Sequence, residues 1–410
     1  MTKGFSLSLE VFISILIFVC FHKNSQAQTL TSLHGNHIKK ENASQTNYAL
    51  NFDGSNDHIV TNGGTISTAW SFEVWYKKAG NQSAINLTNN KNSNNSGTWA
   101  LRLGQWNNIN KVGITKYGVK DYYINDSKAN LDIGKWAHVA WTYESNLVTV
   151  YINGESFGTT FSRGPLSNGA ILYWNIIGKS VRTINGELDE VRIWNDKRTS
   201  SEIKSNMFKE LIGNENGLVA YYKMTNGSGT AVSDNSSNSN SGTMVNMDDN
   251  DWVTSNAPIG SIINSYQTDM EGLWEASGTT ASQESDGLSM SVSSTLAEAN
   301  FAIFGNNNTT GTSTSDLPSG ESLQKRSSRE WQVDEIGTVS ASVIIDISDA
   351  TGNSVSPAAA ANYKLLYKSC TECDFTVKAT GASSSDDIIT FSNVALQDGF
   401  YAIASTDSNL

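Results

Sequence analysis

The residues best suited to chemistry in this chain are carboxylates. Glu187 and Asp189 stand two apart in the run Gly186–Trp194 (GELDEVRIW), so on a strand they share one face. Glycoside hydrolysis needs two carboxyl groups about 5 to 9 Å apart across the scissile bond. Further along the run, Glu190 points away from that pair and Arg192 is a cation. Glu73 is alone on its strand, because Ser71, Trp75 and Lys77 share its face and none is an acid. Asp53 and Asp57 flank a turn at Gly54. Such oxygens suit Ca²⁺, which takes six to eight, and they equally suit Asx turns. His58 and His138 are the histidines between residues 47 and 256, and no G-x-S-x-G elbow accompanies them. His138 is expected at the surface or half-buried, on the polar face with Ala140 and Thr142.

Aromatic rings offer a different chemistry. A ring with flat apolar faces beside amides and carboxylates suits a sugar. Trp99, Trp106, Tyr117, Tyr122, Tyr123 and Trp174 are the candidates, although most aromatics in a sandwich are core. Trp106-Asn107-Asn108 reads as a loop and leads the set. The expected ligand-binding residues are Trp106, Asn107, Trp99, Tyr122 and Trp174, with Arg163 and Lys179 able to border the same surface. Cys370 and Cys373 are open to three readings: a local disulfide clip, free thiols, or a functional pair. A zinc site would want a second ligand pair, and none has suitable spacing.

The elements that must position these residues are strands. Tyr48–Phe52 turns Tyr48, Leu50 and Phe52 toward a core. Phe72–Tyr76, Trp99–Leu103, Val112–Tyr117 and Ile171–Ile177 read as further strands. Val139, Trp141 and Tyr143 alternate opposite Val148, Val150 and Ile152 in a hairpin, and Asn153-Gly154 is the strongest turn signal. Gly186–Trp194 alternates too, with Val191 and Ile193 one way and Glu190 and Arg192 the other. Thr199 with Glu202 makes a capping-box spacing for a short helix, and Gly217–Tyr222 is another strand. Beyond Pro258, Val339, Ala341, Val343, Ile345 and Ile347 share one strand face, and Trp331 and Tyr367 read as core anchors. Lys325, Arg326 and Arg329 are expected in a solvated loop, paired with Glu321 and Glu330.

The chain has 410 residues and a formal net charge of −12. With no basic stripe, nucleic acid is not an expected partner. Residues 1–27 read as a secretory signal, with Lys3, the apolar run Val11–Phe21 and Ser25-Gln26-Ala27 as cleavage site. No later stretch is long and apolar enough to span a bilayer, so no membrane span is expected in the mature chain.

Three stretches in order, YALNFDGSNDHIV (48–60), WAHVAWTYESNLVTVYINGE (136–155) and GELDEVRIWNDKRTSSEI with GNENGLVAYYKM (186–224), resemble the laminin-G-like, concanavalin-type jelly-roll domains of bacterial surface proteins. The segments AIFGNNN, SREWQV and DGFYAIAS resemble a C-terminal β domain of exported Bacteroidetes-type proteins. The resemblance implies an all-β chain: a jelly-roll sandwich over 47–256, after a signal (1–27) and leader (28–46), then a second β-sandwich-like domain over 257–410. It also implies a structural Ca²⁺ held by Asp53, Asp57 and Asp189 with the Gly54 carbonyl. Jelly-roll hydrolases of one related family carry E-x-D-x-x-E, and Arg192 stands where the third acid belongs. The expectation is therefore non-catalytic recognition of a glycan or cell-surface ligand, secreted or at the cell surface. A structural spacer or adhesin segment is the alternative, and a polysaccharide hydrolase or lyase a third reading.

Overall fold

The structure, a computed structural model, describes residues 47–410 apart from positions 83, 90–95, 107–109, 158–165, 167–168, 180–181, 282, 358, 407 and 409. The signal and leader readings, Arg163 and Asn107 lie outside the described residues.

Alternating apolar strands build a two-sheet sandwich. The large antiparallel sheet has β1 (Tyr48–Asp53), β4 (Ala69–Lys78), β10 (Trp136–Glu144), β11 (Leu147–Ile152), β12 (Glu155–Ser156), β15 (Asn185–Trp194), β16 (Leu218–Tyr222) and β19 (Trp252–Thr254). Its order is β12-β11-β10-β4-β15-β1-β19, with β16 beside β15. Opposite lie β17 (Ala231–Val232), β18 (Gly242–Val245), β2 (His58–Thr61), β14 (Ile176–Gly178) and β6 (Thr88–Asn89), and a smaller sheet β5 (Ile85–Asn86), β7 (Trp99–Gly104), β8 (Gly113–Lys116), β9 (Lys120–Tyr123). A short pair, β3 (Thr65–Ile66) with β13 (Leu172–Tyr173), completes it. Leu50, Phe52, Phe72, Trp141, Leu101 and Tyr122 fill the core between the layers. Ser145 and Asn146, both at positive φ, make the two-residue turn between β10 and β11, while Asn153-Gly154 turns β11 into β12.

Two local features depart from simple alternation. A β-bulge interrupts β15 between Asp189 and Arg192, with Glu190 at φ 51°. Leu188 and Val191 consequently both face the core, and Asp189, Glu190 and Arg192 all lie on the outer side, so Glu190 does not point away from Asp189 as strict alternation requires. That outer side is not solvent. Helix α1 (Ser200–Met207), capped by the expected Thr199–Glu202 box, lays Ile203 on Ala140 and Tyr151. His138 is thereby 1% exposed rather than half-buried, because the polar face of β10 is roofed.

The second sandwich packs β20 (Thr268–Leu273), β23 (Phe301–Asn306), β24 (Thr312–Ser313), β25 (Lys325–Ser327), β26 (Trp331–Ile336), β28 (Tyr363–Lys368), β29 (Thr376–Thr380) and β32 (Gly399–Ser405) against β21 (Gln283–Ser285), β22 (Leu288–Ser291), β27 (Ser340–Asp346), β30 (Ser383–Ser385) and β31 (Ile388–Ala395). Val339, Ala341, Val343, Ile345, Ile347 and Trp331 are in its core as expected. The basic cluster is not a solvated loop. Arg326, on β25, and Arg329 are buried, and they pair with Glu330, Asp316 and Asp286 rather than Glu321. Cys370 and Cys373 are joined in a disulfide.

The described residues form one compact unit, because the two sandwiches share a core. Trp75, Trp136, Met207 and Phe208 from the first meet Trp274, Ile303 and Phe400 from the second. Trp274 stands edge-on to Trp75 with ring centroids 5.9 Å apart, and its indole N–H donates to the Trp136 carbonyl at 3.0 Å. Glu275 accepts the Trp136 backbone N–H at 2.8 Å. No helix among the described residues is long and apolar enough to cross a membrane. Truncating a buried tryptophan typically costs about 3–5 kcal/mol. Trp274→Ala is therefore expected to lower a single cooperative melting transition of the whole chain. Two resolved calorimetric transitions in the wild type, with one unmoved by the substitution, would show that the sandwiches do not depend on each other.

Candidate functional site

The small sheet β5-β7-β8-β9 is where the outer surface becomes concave. On β7, Trp99, Leu101 and Leu103 face the core, so Arg102 faces out. Register puts Asn86 and Gly113 on either side of Arg102, and Thr115 opposite Asp121. The β8–β9 hairpin turns through three residues, with Gly118 at φ 68°, and carries Tyr117 over the sheet. Gly113 admits a close approach: a Cβ there would meet the Tyr122 carbonyl, the acceptor of the Gln105 amide.

Arg102, Thr115, Tyr117, Gly118 and Asp121 line an open depression of about 280 Å³ together with Trp106, Lys116, Val119, Lys120 and Arg182. Trp106 is 52% exposed. The Arg182 guanidinium lies 5.4 Å from the Trp106 ring centroid and 5.6 Å from that of Tyr117, and Arg102 lies 5.3 Å from Tyr117. Beneath the rings, Arg102 Nε donates to Thr115 Oγ1 at 3.0 Å, and Thr115 donates to Asp121 Oδ1 at 2.7 Å. Tyr117 donates its hydroxyl to Asn86 Oδ1. Arg102 is only 2% exposed, and its Nη1 has no hydrogen-bond partner among the described residues. Burial lowers the Arg102 pKa from its ordinary value. Lys179 is brought down to about 8 by burial and then by the charges of Arg182 and Arg102.

Of the expected ligand-binding residues, Trp106 is the one that presents a ring to solvent. Trp99 and Tyr122 stack on each other with centroids 6.0 Å apart, inside the core. Trp174 is also buried, packed so closely on Gly63 that a Cβ there would collide with its indole. These three are corrected to structural roles, since apolar alternation turns their rings inward. Arg102, Thr115, Asp121 and Arg182 were not foreseen. The alternation of Trp99, Leu101 and Leu103 carried the signal that Arg102 faces outward.

The calcium set is not brought together. Asp53 pairs with Asn185 across β1 and β15, whereas Asp189 lies four residues further along β15, on the roofed side. Its Oδ2 accepts from Ser255 Oγ at 2.5 Å and its Oδ1 from the Glu190 N–H. Asp57 accepts the Asp53 N–H, Asp53 accepts the Ser55 N–H, and the Gly54 carbonyl takes Gln82 and Thr183. These are the turn's own hydrogen bonds, and among the described residues no cluster of three or more acids, histidines or cysteines has metal-binding geometry. Asp189 does not fit as a ligand of a metal at Asp53.

The other acids are structural as well. Glu190 Oε2 accepts from Arg192 Nη2 at 2.6 Å and from the Tyr221 hydroxyl at 2.5 Å, and Arg192 also caps the Asn206 and Lys209 carbonyls. Burial, then the Glu190 charge, push the Asp189 carboxyl well above its ordinary range. Glu187 pairs with Lys77 at 2.9 Å. Glu73 lies 3.4 Å from His138, whose pKa burial depresses, and both are sealed beneath the roof.

Two facing sheets of this order define a concanavalin-type jelly roll. Residues 53–204 match the laminin-G-like family model of the concanavalin A-like lectin/glucanases superfamily. Residues 265–400 match a domain of unknown function (DUF8202). No curated protein sequence matches the chain. Among solved structures, a Bacteroides ovatus protein with a provisional carbohydrate-binding assignment is 22% identical at TM-score 0.40, over 52% of this chain and 61% of that one. The chain thus spans less than two thirds of that protein's length. A heptameric SAP-like pentraxin from Limulus polyphemus is 16% identical at TM-score 0.29, over 39% and 82%. Domain 4 of an extracellular arabinanase from Geobacillus stearothermophilus, solved with arabinotriose, is 16% identical at TM-score 0.30, over 38% and 74%. At these identities the likeness is one of fold alone.

Removing one partner from a buried ion pair costs about 3–5 kcal/mol. Arg192→Met, which strands Glu190, is expected to destabilise the protein by that order in chemical denaturation. A loss below about 1 kcal/mol, the range of exposed pairs, would mean the network is hydrated.

Proposed function

We propose that the chain is a carbohydrate-recognition protein that binds through the depression at Trp106. The observation that carries this reading is an exposed tryptophan set beside buried polar groups. Trp106 offers an apolar face, and Asp121, Thr115 and the two guanidiniums offer fixed hydrogen-bonding edges. A sugar ring needs both, since its C–H face packs on an aromatic while its hydroxyls need donors and acceptors. The acids weighed for hydrolysis, Glu73, Glu187 and Asp189, are all engaged in the sheet, which favours binding over bond cleavage. Action outside the cell is part of the same reading. The Cys370–Cys373 disulfide supports it, because such bonds persist in oxidising compartments.

A second reading, a rigid spacer in a surface assembly, is favoured by the shared core of the two sandwiches. The two readings differ at Trp106. On an array of plant, algal and host glycans, the protein is expected to retain a subset, and Trp106→Ala is expected to weaken the tightest by tenfold or more, about 1.4 kcal/mol. Glycan binding unchanged by Trp106→Ala, or no glycan retained, would leave the spacer.

A further inference from the structure

We infer that the saccharide held at Trp106 is acidic, a sugar carrying a carboxylate that Arg102 and Arg182 receive. This rests on the carbohydrate reading and deepens it.

Three observations point the same way. Arg102 is buried to 2% exposure on the floor of the depression, and its Nη1 has no acceptor among the described residues. A buried guanidinium with an unpaired donor is costly, more so than a neutral group, and its uncompensated charge under the depression favours an anion there. Second, the lining is cationic in a chain of net charge −12. Arg102, Arg182, Lys116 and Lys120 stand against one carboxylate, Asp121, which already accepts the Thr115 hydroxyl. Burial first, and then the like charges of Arg182 and Arg102, bring the neighbouring Lys179 down to about 8. Third, the Arg182 guanidinium is stacked over Trp106 and Tyr117, so the second cation is held at the mouth beside the sugar-packing ring.

The planar guanidinium fork matches a carboxylate in two parallel hydrogen bonds, which a lysine cannot supply. The arrangement then divides the work. Trp106 packs the ring face, Asp121 and Thr115 meet hydroxyls, and the guanidiniums meet the acid group. A neutral sugar of the same shape would leave Arg102 as unpaired as before, so the preference for charge is built into the floor.

Calorimetric titration with short oligomers of galacturonate, glucuronate and mannuronate, each beside its methyl ester, tests the inference. Esterification removes the charge and keeps the ring. At least one acid is expected to bind tenfold or more tighter than its ester, with an affinity that falls as salt rises. Arg102→Met removes a buried group and risks misfolding, so Arg182→Met is the working variant. It is expected to fold and to cut the acid's advantage over its ester several-fold, the share that Arg102 supplies remaining, whereas Trp106→Ala weakens acid and ester alike. Acid and ester bound equally, or an acid preference undiminished by Arg182→Met, would overturn the inference and leave carbohydrate recognition standing. A sulfated galactan oligomer bound in preference to every uronate would overturn the carboxylate assignment. If neither these ligands nor any neutral oligosaccharide binds, the carbohydrate reading falls with it.

Discussion

The large sheet of the first sandwich is buried on both faces, and the rest of the molecule depends on that burial. Its inner face meets the opposite sheets, as in any sandwich. Its outer face carries Trp75, Trp136, Glu73, His138 and Arg192, none more than 1% exposed. Helix α1 covers part of this face, and the second sandwich covers more through Trp274, Ile303 and Phe400. An antiparallel sheet often leaves one face to water. Here Arg192 is held instead by the Asn206 and Lys209 carbonyls and Glu190 by the Tyr221 hydroxyl, at the bulged end of β15.

Covering the large sheet directs recognition elsewhere. An open concave surface lies on the outer face of β7, β8 and β9, where Arg102 lies against the Tyr117 ring and Arg182 against those of Trp106 and Tyr117. The lining of that face is mainly cationic while the chain as a whole carries −12, so an anionic ligand is favoured there against the general charge of the molecule. The groove where α1 meets the second sandwich is larger, about 630 Å³, but Lys204 and Glu271 already face each other across it and its Trp274 ring is buried.

Much of the fold was legible in the sequence because it is written in period two. Leu50 with Phe52, Trp141 with Tyr143, and the run from Val339 to Ile347 alternate cleanly and land in the two cores. The capping box at Thr199 is local chemistry and was equally readable. What alternation conceals is a bulge: one extra residue at Glu190 turned it toward Arg192, and nothing in the composition of GELDEVRIW marks it. The roof over β10 was likewise invisible, since it is made by residues more than sixty positions away, and His138 was misplaced for that reason. At the site, Trp106 was legible as a loop aromatic, while Trp99, Tyr122 and Trp174 share its residue type but not its exposure. Arg182 joins the site from a distant segment, a tertiary fact that spacing does not carry.

Ten of the eleven tryptophans are buried, and Trp106 is the exception. Indole N–H resonances, assigned by substitution and followed during titration with the tightest saccharide found, therefore report where the ligand sits. Binding at the small sheet predicts a large shift of the Trp106 resonance with the Trp136 and Trp274 signals unmoved. A shift at Trp274 or Trp136 with Trp106 unperturbed would place the ligand in the groove between the sandwiches and contradict the site described above.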